Sequence, residues 1–351
     1  MVINEKLWKD KRVLVTGHTG FKGSWLTLIL HKLGAQVYGI SLPAIQPRSL
    51  YSDAKISALL SGEYIQDIRE VEKLAQIIKT IKPDYVFHLA AQALVRESVD
   101  DPIATISTNV IGTANLIFEA LKHENLLGIT VATTDKVYEN EENGISFKEC
   151  DKLGGKDPYS ASKSATELVT RALVLSNNLH RIPVSTVRAG NVIGGGDWAA
   201  DRLIPDVVRA FETSSALNIR NPLATRPFQH VLDCLWGYIL VAQNHLLKKH
   251  VKVFDVFNFG PDSSVTVTDL VDTFKRNLPN EIEITFIKSE FTEHINLNLN
   301  STKAKKILNW IPQFLPNEAI IDTAKWYAHY LDGESSLELM EATIDNYLGK
   351  K

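Results

Sequence analysis

The sequence predicts a doubly wound α/β fold, with helices on both faces of a parallel sheet. Short runs rich in β-branched residues alternate with longer helical patterns, which is the rhythm of strand–helix crossovers. The first of those runs leads directly into a glycine-rich turn and then a helix. A composition of 44% hydrophobic and 23% charged residues over 351 positions is enough for a large core.

Arg12–Thr16 is the first strand, and the helix after it runs from Phe21 to Leu33, where Gly34 is a natural stop. Gln36–Ile40, Glu63–Gln66, Tyr85–Leu89, Ile129–Thr133 and Val184–Arg188 continue the sheet. Periodicity alone does not separate the last four from buried helix turns; their spacing decides for strands. Ile103–His123 and Pro158–Asn178 read as long amphipathic helices. Past Arg188 the texture changes to loops, with Gly190, Gly194, Gly195 and Gly196 close together. Val253–Phe259 then returns to the sheet. Thr268–Leu278, with Thr268 as N-cap, and Asn317–Leu331 follow as helices, with an isolated strand near Ile282–Ile287. This order predicts a dinucleotide-binding domain from residues 1–188 plus about 230–262. A smaller α/β substrate domain, from about 189–229 plus 263–351, is interleaved with it.

Several partners are excluded at this level. A net charge of −3 leaves no basic footprint for nucleic acid. No uninterrupted apolar run approaches the ~18 residues of a membrane span. Cys150 and Cys234 form neither a disulfide framework nor a metal-ligand spacing, so no metal is expected. Few cysteines and no apolar leader before Arg12 fit the cytoplasm.

Gly17-His18-Thr19-Gly20-Phe21-Lys22-Gly23, set between strand and helix, is suited to a dinucleotide. Glycines let the backbone turn sharply against a pyrophosphate, and the helix start offers free N–H groups. The fold is therefore expected to be of Rossmann type. The end of the second strand, Gly39-Ile40-Ser41-Leu42, lacks the carboxylate that usually holds the adenosine ribose. Arg48, a few residues on, is placed to face a 2′-phosphate, yet the balance favours NAD. Asp67 and Ile68 after the third strand are candidates for the adenine; a plain loop aspartate is the alternative.

Tyr-x-x-x-Lys occurs three times, at Tyr51/Lys55, Tyr159/Lys163 and Tyr347/Lys351. Only Tyr159 opens a long helix after the fifth strand, and residues four apart share a helix face. A neighbouring ammonium and a positive nicotinamide are expected to lower the phenol pKa from about 10. The phenolate then takes a hydroxyl proton while hydride leaves the same carbon. Thr134, at the end of the fifth strand, completes a triad with them. Asp135 and Lys136 beside it are either part of the site or a solvated ion pair.

These stretches resemble the extended short-chain dehydrogenase/reductase superfamily. The likeness is carried by the glycine loop, by Phe87-His88-Leu89-Ala90-Ala91-Gln92 and by Thr133-Thr134-Asp135-Lys136-Val137-Tyr138. Asp157-Pro158-Tyr159-Ser160-Ala161-Ser162-Lys163, Ala189-Gly190-Asn191 through Asp197-Trp198, and Arg226-Pro227-Phe228-Gln229-His230-Val231 extend it. Asp135-Lys136 and Gly194-Gly195-Gly196-Asp197-Trp198 narrow it to the CDP-glucose branch of the nucleotide-sugar 4,6-dehydratases. Other branches carry glutamate where Lys136 stands, and Phe228 replaces an expected tryptophan.

The resemblance implies that Gly17, Thr19, Gly20, Phe21 and Gly23 bind NAD. Asp67, Ile68, Leu89, Ala90 and Ala91 join them, together with Tyr159 and Lys163. It implies that Thr134, Asp135, Lys136, Tyr159 and Lys163 are catalytic, and that Asn191, Arg202, Arg226 and His230 bind the nucleotide sugar. Tyr159 would take the 4-hydroxyl proton as C4 is oxidised, Lys136 would take the C5 proton and Asp135 would protonate the departing 6-hydroxyl. Those roles require a neutral lysine and a protonated aspartate in a dry pocket, or a coupled pair sharing one proton. A homodimer through Ile103–His123 and Pro158–Asn178 is also implied.

Overall fold

The computed structural model describes residues 3–44, 48–141, 144–177, 181–219, 222–249, 252–278, 283–286 and 297–349. The expectations falling on Asn178, Ile282, Ile287 and Lys351 lie outside these residues.

Strand β1 (Arg12–Thr16) is followed by helix α1 (Phe21–Lys32), then by β2 (Gln36–Ser41) and β3 (Gly62–Ile65). Helix α2 (Val71–Ile81), β4 (Tyr85–His88), α3 (Thr113–Ala120) and β5 (Ile129–Ala132) come next. Helix α4 (Pro158–Ser176), β6 (Val184–Ala189), α5 (Leu203–Thr213), α6 (Val231–Leu246) and β7 (Phe254–Phe259) complete the main layers. Among the described residues the central sheet has seven strands in the order β7-β6-β5-β4-β1-β2-β3, and every pairing is parallel. Val13–Val15, Tyr85–Phe87 and Ile129–Ala132 are buried, as suits strands covered on both faces.

Each face has its own core. Leu74, Ile78, Leu116, Ile117 and Val174 bring α2, α3 and α4 onto one face. Trp25–Leu30 of α1 and Leu232–Ala242 of α6 cover the other. Helix α6 is buried from Val231 to His245, because C-terminal residues such as Trp310 and Tyr347 close over it. Beyond β7 stand α7 (Val267–Asn277), α8 (Pro316–Leu331) and α9 (Ser336–Gly349), with a short strand at Ile284–Phe286.

Two helical expectations change. The N-cap of α7 is Thr266, whose hydroxyl accepts from Asp269 N at 3.0 Å; Thr268 instead donates to the Pro222 carbonyl. The predicted single helix over 103–123 is interrupted: Pro102–Ile106 passes through a π-helical turn, Ser107–Gly112, into α3. Asn109 sits in that turn. Its carbonyl accepts from Thr113 at 2.6 Å and Thr166 at 2.8 Å, and its amide donates to Ser162 at 2.9 Å. These competing partners favour the π turn and tie it to α4.

Two histidines are buried neutral beneath the sheet. His88 lies between Thr16 (2.7 Å) and Thr113 (2.8 Å), and His245 between Tyr85 (2.8 Å) and Ser185 (2.9 Å). Burial brings each down to about 3, with Lys163 adding to the shift at His88. As pH falls below the unfolded value of 6.5, the unfolded chain takes up protons that the folded one refuses. Their contribution to stability is thus lost between pH 6.5 and about 3, at about 1.4 kcal/mol per group per unit. Scanning calorimetry should show Tm falling from pH 6.5 to 5, with a shallower fall in His245→Asn.

Candidate active site

The turn between β1 and α1 is shaped by its glycines. Gly17 has φ +75°, and a Cβ on it would meet Ala90 N at 2.7 Å. One on Gly23 would lie 2.0 Å from the Gly17 carbonyl oxygen. The turn is thus pressed against Leu89–Ala91 at the end of β4. No side chain caps α1, leaving its first N–H groups available to an anion. Thr19 bonds the Ser41 hydroxyl at 2.7 Å. These features fit a dinucleotide pyrophosphate.

At the adenosine end, Glu63 on β3 faces Gly39 of β2, but it is held by His18 Nε2 (2.7 Å) and Tyr51 (2.6 Å). Tyr51 is thereby accounted for as structure. Asp67 is engaged bidentately by Arg69, and Ile68 is buried. Arg48 is not poised for a 2′-phosphate, because Glu212 binds it through two nitrogens (2.8 and 2.9 Å) and it lies over the Trp198 ring.

Helix α4 starts where Asp157 accepts from Ser160 N at 2.9 Å and Pro158 fills the first turn, a pairing in which proline loses no needed donor. Gly155, at φ +132°, allows the preceding loop to pass within 2.4 Å of Ala161 N measured from a Cβ position, which only glycine leaves open. Tyr159 and Lys163 are both buried, with Lys163 Nζ on the Ala132 carbonyl at 3.2 Å. After β5 the chain forms a short 3₁₀ turn, Asp135–Val137, capped by the Thr134 hydroxyl, which also lies 3.0 Å from Asp135 Oδ1. Tyr159, Lys163, Thr134 and Asp135 are thus drawn from two adjacent elements.

Electrostatics correct one expectation. Burial pushes the Tyr159 phenol up to about 12, although Thr134 and Arg202 pull it down. Lys163 falls to about 7 because it is buried and because Lys22 is near. In this state desolvation outweighs any ammonium effect on the phenol. Burial likewise raises Asp135 against the opposing pull of Lys136, which is the direction a general acid requires. Asp135 is 2% exposed, while Lys136 is only half buried.

Arg202 is half buried, paired with Asp197 at 2.9 Å, and its charge acts on Tyr159. Arg226 is half buried and its charge acts on Asp135. Asn191 sits nearby, its carbonyl accepting from Gln229 N at 2.9 Å. His230 is placed differently from expectation. It is 1% exposed, accepts from Leu232 N through Nδ1, pairs with Asp322 through Nε2 (3.1 Å) and lies tilted against Phe314. One nitrogen caps α6 and the other ties it to α8, so it presents none to a substrate. Phe228 is buried in the apolar core.

Residues not singled out from the sequence complete the pocket. Lys22, desolvated and acted on by Arg202, Asp135 and Asp197, reaches the Tyr238 hydroxyl at 3.4 Å. Asp197 anchors Arg202. Glu167 and Arg188 lie beneath the acid–base segment. A charged residue within the otherwise uncharged strand Val184–Ala189, and an acid one turn after Lys163, were the available signals. Among the described residues no cluster of histidine, cysteine and carboxylate suited to a metal is found, and no helix is long and apolar enough to cross a membrane.

A parallel sheet with a glycine turn at β1, and a Tyr/Lys pair facing the end of β5, defines the class: an α/β enzyme of the epimerase and dehydratase kind. The chain belongs to the GDP-mannose 4,6-dehydratase family, which it matches over residues 14–323. It is 41% identical to the CDP-glucose 4,6-dehydratase of Salmonella typhimurium, over 99% of each chain. UDP-glucose 4-epimerase of Thermotoga maritima, solved with UDP-glucose, shares the fold. It has a TM-score of 0.80 and 23% identity over 91% of this chain and 99% of that one. MoeE5, solved with UDP-glucuronic acid and NAD, has a TM-score of 0.77 and 23% identity over the same shares.

Proposed function

We propose that the protein dehydrates CDP-glucose to CDP-4-keto-6-deoxyglucose with NAD as its cofactor. The observation that carries this reading is the buried Asp135 beside Lys136, in the pocket that also holds Tyr159. An epimerase has no use for a second acid–base pair. The Salmonella relative supports the nucleotide, and Arg48's engagement by Glu212 supports NAD over its 2′-phosphate.

The glycine turn with Thr19 and Phe21, the start of α1, and Leu89–Ala91 hold the dinucleotide, with Asp67 and Ile68 flanking its adenine end. NAD held there would supply the acceptor for the C4 hydride and its donor to C6. Tyr159 Oη takes the 4-hydroxyl proton, oriented by Thr134, while Lys163 supplies positive charge beside it. The ketone formed acidifies C5. Lys136 Nζ then removes the C5 proton and Asp135 protonates the departing 6-hydroxyl. The C5–H and C6–O bonds break, a C5–C6 double bond forms and water leaves; as hydride reaches C6, C5 takes a proton back from Lys136, which has exchanged with solvent. Arg202, Arg226 and Asn191 receive the diphosphate; arginine's rigid donor fork suits that group. Residues 1–188 with 230–262 form the cofactor domain, and the remainder receives the sugar nucleotide.

Incubation with CDP-glucose and NAD in D₂O tests this. A 4-keto-6-deoxy product with deuterium at C5 and the C4 hydrogen at C6 is expected. Unchanged CDP-glucose beside converted dTDP-, UDP- or GDP-glucose would overturn the nucleotide; silence with all four would overturn the activity.

The protein is further proposed to pair through the helices of 102–120 and α4. Ile103, Ile111, Phe118, Leu168 and Leu175 on these helices are exposed, an apolar set that suits an isologous interface. Light scattering at micromolar concentration should give a dimer, and Ile103→Asp with Leu175→Asp should give a monomer.

A further inference from the structure

The acid–base segment is gripped at both ends by one buried ion pair. In front of it, the Thr133 hydroxyl donates to Glu167 Oε1 at 2.7 Å. Behind it, the Tyr138 hydroxyl accepts from Arg188 Nη1 at 2.6 Å and donates to Asn258 at 2.8 Å. Glu167 and Arg188 meet side-on, at 2.8 Å from Nε and 2.5 Å from Nη2, and the guanidinium lies over the Tyr138 ring. Both residues are 2% exposed. Glu167 follows Lys163 by one helical turn, so a single face of α4 presents both. Between them, Ser164 bonds the Val137 carbonyl at 2.9 Å.

We propose that Glu167 and Arg188 are a positioning pair, fixing Asp135 and Lys136 in register with the sugar carbon held at Tyr159. The inference rests on the dehydratase reading, in which C4 is served by Tyr159 and Lys163 of α4 with Thr134 as their one contact from the segment after β5, while C5 and C6 are served by Asp135 and Lys136 of that segment. Two groups on one element and two on another must meet neighbouring carbons, and a misplacement of about 1 Å costs on the order of 10²-fold in rate. Tyr159 has anchors of its own: the Asp157 cap, and Ser98 accepting its backbone N–H at 3.1 Å. Loosening the ion pair's grip therefore impairs the elimination far more than the C4 oxidation.

Glu167→Gln would leave Arg188 unpaired in the core and risks unfolding, so gentler changes make the test. Thr133→Val removes only the front tie and Tyr138→Phe only the back one; Thr133→Ser restores the hydroxyl. Wild type and variants are compared in D₂O for first-turnover cofactor reduction, C5 deuterium entry and product formation, with Tm recorded. In T133V and Y138F, product formation and C5 exchange should fall about 10- to 100-fold. Cofactor reduction should stay within about two-fold and KM should hold, so that reduced cofactor accumulates on the enzyme; T133S should recover. Oxidation and elimination falling together, or neither falling, would overturn the positioning role. An inactive wild type would instead remove the dehydratase reading itself.

Discussion

Tyr159→Phe is expected to lower kcat by about two to four orders of magnitude while KM for the nucleotide sugar changes little. The ring and its packing survive, and Arg202 and Arg226, proposed to receive the diphosphate, are untouched, so substrate binding should be retained. What is lost is the oxygen that receives the 4-hydroxyl proton, and with it every later step. Steady-state kinetics, paired with a thermal melt showing the variant folded, would check this. Turnover within ten-fold of wild type would remove Tyr159 from the proton transfer. A phenol pushed up to about 12 in this state should titrate lower with NAD bound, read as a UV phenolate titration with and without cofactor, because the nicotinamide's positive charge opposes the desolvation that raises the phenol.

Glu167→Ala should be among the most destabilising single changes outside the apolar core. It strands the Arg188 guanidinium at 2% exposure with only Tyr138 and the Glu149 carbonyl beside it. Removing one partner of such a pair costs about 3–5 kcal/mol. Urea midpoints measure the loss. The double change Glu167→Leu with Arg188→Met should recover most of it, because the desolvation cost of both charges then disappears. Failure of the double variant to recover would assign the cost to the hydroxyls of Thr133 and Tyr138 instead. Read by activity, that same double variant should stay slow.

Local patterns made the main sheet legible. Strand β1 carries the unbroken apolar run Val13–Val15, and the glycine turn sits between a strand and a helix as its chemistry requires. Tyr159 was separable from Tyr51 and Tyr347 because only it opens a long helix after a strand. What stayed hidden depends on distant contacts. Nothing local to His230 shows that Asp322 and Phe314 will enclose it. Nothing near Arg48 shows that Glu212, far along the chain, will claim its charge. The π turn at Ser107–Gly112 arises from Thr166 and Ser162 on another helix, so periodicity read the stretch as continuous. The phenol pKa was misjudged for a related reason: the ammonium four residues away is visible in sequence, whereas the burial opposing it is a property of the whole pocket.

The strand order has a bearing on synthesis. Strand β6 has β5 on one side and β7 on the other, and β7 is encoded well after it, beyond α5 and α6. At roughly 5–20 residues per second, the open edge of β6 waits several seconds on the ribosome for its neighbour. That edge, Val184–Ala189, carries Arg188 next to its last residue. An unpaired strand invites pairing with another nascent chain, and an inward-facing charge discourages it. Phe254–Phe259 closes that edge when it docks, and the Arg188 guanidinium lies sealed in the core that supports the acid–base segment.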